Sequence, residues 1–335
     1  GWVARLPTRY RDRAPRLVHL DGTDAWFIDG KHARNANAAD VYGGKGRDQY
    51  VPDGAVYETT PGTGSPEQRL TEQDQDGVDA EVLYPGQVNG PKLWRLIEDD
   101  ETYEAMVSAY NEWLASEYCA VNPSRLIGVG ILPLVADVDA YIAEMEHCKE
   151  LGLKTVLLQG FPSGNTYPAL EDDRFFQEAL DIGMPLTVHV DVDRSQKGPL
   201  LRYANTDEDE RRRLEKDGRS LPEQVARFGP SRGSGCLAAA QWVLSGLFDR
   251  MPKVKIFFAE NQIGWIPSFL QGADVRYERN RHWAERYLGF EPLAKPPSEY
   301  ILEHYLWGFQ YDRVGVEVRH LLTVDNLIWG SDFPH

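Results

Sequence analysis

Residues 185–192 read PLTVHVDV. They follow Gly183 and a helical stretch from Asp172 to Ile182; Gly152 stands in the same relation to the run LKTVLLQG, 153–160. A glycine just past a helix and just before a strand is a C-terminal cap. Each run is short, apolar and rich in β-branched residues, which reads as a strand buried on both faces of a parallel sheet.

Five further runs repeat the pattern: AEVLYP (80–85), RLIGVGILPL (125–134), KVKIFFAEN (253–261), EHYLWGFQ (303–310) and NLIWGSDFP (326–334). Helical spacing fills the intervals at Asp99 to Val121, Val138 to Leu151, Leu237 to Arg250 and Ile266 to Tyr287. Alternating β and α units imply right-handed crossovers and a parallel sheet. Seven units are one short of a (β/α)8 TIM-type barrel, and a doubly wound open sheet is the alternative. The expected fold is a cropped barrel, its first strand before Gly1 and its last helix after His335. Upstream, APRLVHLDGTDAWFIDG (14–30) predicts a hairpin turning at Asp21-Gly22. The whole chain, 1–335, is read as one domain. It carries a hairpin-and-loop excursion at 15–66 and a charged insertion at 191–235. That insertion includes NTDEDERRRLEKDGR (205–219), a solvated helix laced with i,i+4 charge pairs and placed to act as a lid.

Composition narrows the class. Hydrophobic residues make up 42% and charged residues 26%, the balance of a soluble globular chain. A net charge of −16 without a basic cluster argues against nucleic acid. No run of about 18 apolar residues exists to span a membrane, and no signal peptide is visible. The three cysteines, Cys119, Cys148 and Cys236, are too scattered for a disulfide framework, so a reducing, cytoplasmic location is expected.

The chemistry collects at strand ends. Gln159, His189, Glu260, Gln310 and Asp332 all fall at carboxyl ends of runs, where a barrel gathers its active site. In LTVHVDV the side chains of Thr187, His189 and Asp191 share one face. An isolated strand histidine is often a core residue bonded to a carbonyl. Asp332 is harder to dismiss, because a carboxylate at a buried strand tip needs a cation or donors to offset its desolvation. A helix cap is the plain alternative, since Pro334 follows. Imidazole plus carboxylate suits Zn²⁺ or Mn²⁺. Glu260 is read either as a structural carboxylate paired with Arg276 or Arg279, or as a proton carrier. Gln159, Trp307, Gln310 and His335 are the expected substrate contacts. The other histidines (His19, His32, His147, His282, His304, His320) are read as structural or exposed. GPSRG (229–233) matches a serine-hydrolase elbow but follows the helix-like PEQVARF instead of a strand. YGGKGR (42–47) lacks the spacing of a phosphate loop.

Several long stretches carry a family resemblance: RLPTRYRDRAPRLV (5–18), TEQDQDGVDAEVLYP (71–85), YNEWLASEYCAVNPSRLIGVGILPL (110–134), PLTVHVD, FFAENQIGWIP (257–267), FQYDRVGVE (309–317) and NLIWGSDFPH (326–335). Together they resemble the amidohydrolase-related family, in the branch that includes aminocarboxymuconate-semialdehyde decarboxylase. The resemblance implies a (β/α)8 barrel with one divalent ion. Its ligands would be a His-x-His or Glu-x-His pair on the first strand, a histidine on the fifth and an aspartate on the eighth. Carried across, His189 and Asp332 are metal ligands, and the first-strand pair has no counterpart here. Decarboxylases of the branch look to carry a histidine at the end of the sixth strand, where this chain has Glu260. That departure puts a metal-dependent hydrolase first, with Asp332 or Glu260 taking a proton from metal-activated water. The alternative is a non-oxidative carboxy-lyase of an aromatic or unsaturated acid, with Glu260 protonating carbon. A non-catalytic scaffold is a third reading. The expected partner is a small-molecule substrate. A homodimer or higher homo-oligomer is also expected, with WVLSGLF (242–248) and GWIPSFL (264–270) as interface segments or, on the plainer reading, buried barrel helices.

Overall fold

The computed structural model of the protein describes residues 1–20, 22–32, 56, 64–86, 94–165, 167–189, 234–288 and 290–333. Most of the loop at 33–63, the insertion up to 233, both decoy motifs and His335 lie outside the described residues.

Three N-terminal strands form a small antiparallel sheet: β1 (Arg16–Leu20), β2 (Thr23–Ile28) and β3 (Lys31–His32). Leu20 pairs with Thr23, so the hairpin turns where Asp21-Gly22 predicts. Seven strands then build the main sheet: β4 (Glu81–Leu83), β5 (Leu126–Ile131), β6 (Thr155–Leu157), β7 (Leu186–His189), β8 (Ile256–Ala259), β9 (Tyr305–Phe309) and β10 (Leu327–Trp329). Their spatial order is their order in the chain, and every neighbouring pair is parallel. All seven apolar runs form the predicted strands. Such a consecutive parallel sheet is the curled wall of a cropped (β/α)8 barrel, with β4 and β10 at its two edges. Exposure marks the two edges: Val82 is 48%, Ile328 41% and Trp329 63% exposed. Across this side Arg69, on the Pro66–Asp76 helix, pairs with Glu81 and Glu72 and stacks on the Phe333 ring.

Strand alternation sorts the side chains. Tyr305, Trp307, Phe258 and Val188 face the helices, where Tyr305 Oη donates to the carbonyl of Ala239 and Phe258 packs on Trp242. In the register of the ladder, Leu157, Thr187, Ala259 and Gly308 face the lumen. Trp242, Leu247, Phe248 and Ile266 are buried in the helix–sheet layer, so both candidate interface segments are anchored in the barrel.

The buried Asn111 fixes one rim. Its amide donates to Ile131 O at 2.8 Å and Glu144 Oε1 at 2.7 Å, and its oxygen accepts from Ile131 N at 2.9 Å. Burial holds the Glu144 carboxyl above its ordinary range, against the hydrogen bonds from Asn111 and Ser108.

Replacing Asn111 with Ala strands a backbone N–H, a backbone C=O and the Glu144 carboxylate, so denaturant unfolding is expected to show a loss of about 2–4 kcal/mol. Glu144→Gln tests the buried charge. With its folded pKa raised, ionised Glu144 costs stability above its folded titration and none below its unfolded value near ~4.3. The stability of the variant relative to the native chain is therefore expected to rise as pH climbs through that window. A flat difference between pH 4 and pH 8 would contradict it.

Candidate active site at the strand tips

The β7–β8 register sets His189 opposite Ala259, so the next residue along β8 is Glu260. The two side chains meet there: His189 Nε2 lies 3.0 Å from Glu260 Oε1, with the side chains 13% and 29% exposed. Either partner can carry the proton of this contact, because an imidazole nitrogen donates or accepts according to its tautomer and a carboxyl group does so according to its protonation. The structural alternative for Glu260 needed Arg276 or Arg279, and both are exposed on the Ile266–Leu288 helix.

Tyr84, just past β4, reaches across the lumen to this pair. Its ring stands edge-on to the His189 imidazole at 5.2 Å. Its hydroxyl lies 2.6 Å from Thr187 Oγ1, which donates to the Phe257 carbonyl at 3.2 Å. Burial pushes the Tyr84 hydroxyl up to about 12, opposed by the Thr187 hydrogen bond and reinforced by the negative charge of Glu260. Tyr84 is therefore a neutral hydroxyl donor at neutral pH. Sequence reasoning missed it, although it stands at the end of AEVLYP as the other polar groups stand at the ends of their runs.

The tips are bent to hold these groups. Glu260, Gln262 and Asp332 take φ of 57°, 55° and 59°. Side chains other than glycine adopt this region at a cost of roughly 1–3 kcal/mol each, and such residues cluster at working sites. Gln262 Nε2 donates to Gln310 Oε1 at 2.5 Å, tying the β8 and β9 tips together. Gln159, beyond β6, is 4% exposed, and among the described residues its Oε1 has no hydrogen-bond partner.

Trp307 corrects an expectation. It is 3% exposed and lies against Phe258, Trp265 and Tyr305 on the helix side of the sheet. Its period-2 partner is Tyr305, so it is core and not a substrate contact; Gly308 takes the lumen position. Gln310 stays at the rim, and His335 lies outside the described residues.

A divalent ion meets a partial donor set here. Imidazole and carboxylate suit zinc or manganese. His189 and Glu260 are already in contact, and the half-buried Asp332 follows β10 on the same rim. Among the described residues no group of three or more His, Cys, Asp or Glu side chains is gathered closely enough to hold an ion.

The sequence profile of the amidohydrolase family matches residues 35–335. Among solved structures, the chain is similar to an amidohydrolase of Mycobacterium avium subsp. paratuberculosis K-10, at 18% identity and a TM-score of 0.69, covering 98% of this chain and 85% of that one. It is also similar to 5-carboxyvanillate decarboxylase of Sphingomonas paucimobilis, at 22% identity and a TM-score of 0.58, over 80% and 72% of the two chains. A third neighbour is a dihydroxybenzoic acid decarboxylase of Polaromonas with bound manganese and an inhibitor, 2-nitroresorcinol, at 19% identity and a TM-score of 0.57, over 80% and 75%. With seven consecutive parallel strands, the polar groups at their carboxyl tips and the profile spanning most of its length, this chain belongs to the amidohydrolase family.

Proposed function

We propose that this enzyme is a metal-dependent, non-oxidative carboxy-lyase acting on a small aromatic carboxylic acid. The observation that carries the reading is the His189–Glu260 contact, backed by neutral Tyr84, at the lumen mouth of a barrel shared with decarboxylases of carboxylated phenols. One rim then holds a hydroxyl donor, an imidazole and a carboxyl group able to move a proton.

His189 and Asp332 would hold a divalent ion, manganese or zinc. When bound, it supplies a positive charge for the substrate carboxylate and an adjacent hydroxyl. The protein's own groups do the rest. The Tyr84 hydroxyl and the amides of Gln159 and Gln310 orient the ring. Glu260, in its protonated form, gives its proton to the ring carbon that bears the carboxylate. The bond from that carbon to the carboxylate then breaks and CO₂ leaves. Its electron pair restores the ring, and Glu260 regains a proton from solvent. Carboxylate and proton become arene and CO₂, and no water is consumed. The apolar lumen wall of Leu157, Val129 and Ile131 favours release of neutral CO₂.

Hydrolysis is the second reading. A carboxylate at the sixth barrel strand, where the resemblance leads one to expect histidine, suits proton removal from a bound water.

Product analysis separates them. With 2,6-dihydroxybenzoate and related phenolic acids in ¹⁸O-water, the carboxy-lyase reading predicts CO₂ release and no ¹⁸O in the organic product. Phenolic acids left intact, while an ester or amide of such an acid is cleaved with ¹⁸O entering the freed acid, would assign hydrolysis. Glu260→Gln is expected to lower kcat by about 10²–10⁴-fold while manganese binding persists. Dialysis against a chelator should abolish turnover, and manganese or zinc should restore it. Full activity in a metal-free preparation would remove the metal from the account.

A further inference from the structure

The proton carrier sits in a costly backbone conformation, and one carboxylate outside the reacting group holds it there. Asp312 ends the run FQYD and caps the Arg313–Val318 helix, its Oδ1 accepting from Gly315 N at 2.8 Å. A cap needs no more than this. Yet Asp312 Oδ2 also leaves its own element and accepts from Ile263 N and Gly264 N, both at 2.6 Å. Those amides directly follow Glu260-Asn261-Gln262, the turn with two left-handed residues. On the other side the Gly308 carbonyl accepts from Asn261 N at 2.9 Å and Gln262 N at 3.1 Å.

Close approach is built in. A Cβ at Gly315 would stand 2.6 Å from Asp312 Oδ2, and one at Gly264 would stand 2.9 Å from Asp312 Oδ1. At Gly315 the Ile263 side chain crowds the same space, with its Cγ1 2.3 Å from such a Cβ. Charge-assisted bonds to backbone N–H groups are the stronger kind, and a strained turn persists only where its surroundings over-determine it.

We infer that Asp312 is the positioning residue for Glu260. It clamps the Glu260–Gln262 turn between the tips of β8 and β9, so that the Glu260 carboxyl stands against His189 and faces the substrate. Asp312 acts through the turn and does not touch the reacting atoms. The inference rests on the reading of Glu260 as proton carrier.

Asp312→Asn keeps the shape of the side chain but removes one acceptor oxygen; Gly315→Ala crowds both the Ile263 side chain and the carboxylate and serves as a second perturbation of the same contact. Both are to be made in the full chain loaded with manganese. Amide exchange of Ile263 and Gly264 is expected to speed up about tenfold or more, while Phe257 and Phe258 in β8 keep their protection. With 2,6-dihydroxybenzoate as probe, kcat is expected to fall about 10–100-fold with KM changed less than about threefold. In Glu260→Gln the same Asp312→Asn change should cost little more, because both act through one group. Unchanged exchange at Ile263 and Gly264 would overturn the inference, as would loosened exchange with unchanged kcat. Native protein inert towards the probe counts against the proposed function, and the exchange comparison then decides the clamp by itself.

Discussion

The site depends on one alignment, the in-register parallel pairing of β7 with β8. Because His189 lies opposite Ala259, the next residue of β8 is delivered to the imidazole. A shift of one residue would exchange the lumen and helix faces of β8. Phe258, which packs on Trp242, Tyr305 and Trp307, would then point into the lumen, and Glu260 would be lost to His189. The aromatic layer outside the sheet therefore enforces the chemistry inside it. Its rings meet edge-to-face or stacked at 5.0–6.2 Å, distances at which aromatic pairs add to area burial.

Order in the walls permits strain at the tips. The strand bodies are apolar and buried, whereas Glu260, Gln262 and Asp332 hold left-handed conformations just past strand ends. The cross-links around them are polar: Asp312 to two backbone amides, Gly308 O to two more, and Gln262 to Gln310. Packing fixes where the tips are, and hydrogen bonds fix which way they turn. Such a division lets one barrel carry different reactions by changing only its rim.

Much of this was legible in the sequence, and the rest was lost for identifiable reasons. Short apolar runs alternating with helical spacing named all seven strands, and period-2 reasoning put Thr187 and His189 on one face, where the ladder has them. The same reasoning applied to YLWGF pairs Trp307 with Tyr305 on the helix side; reading Trp307 by its nearness to a strand end alone misplaced it. Glu260 was recognisable as a polar tip residue, but its partner was not. A contact between residues 189 and 260 depends on register, which composition does not encode. Tyr84 was hidden because a tyrosine ending a strand looks like packing until its ring is seen against an imidazole. One oxygen of Asp312 caps a helix, and the second reveals its work only in three dimensions.

The central claim is that the strand-tip rim holding His189, Glu260 and Asp332 is a metal-assisted reaction centre. Anomalous diffraction from crystals of the intact enzyme grown with zinc tests it most directly. The account predicts one ion at that rim, with His189 nitrogen and an Asp332 oxygen each about 2.1 Å away and Glu260 left unligated on the substrate side. An ion seated elsewhere, or bound at the rim without both His189 and Asp332, would contradict it.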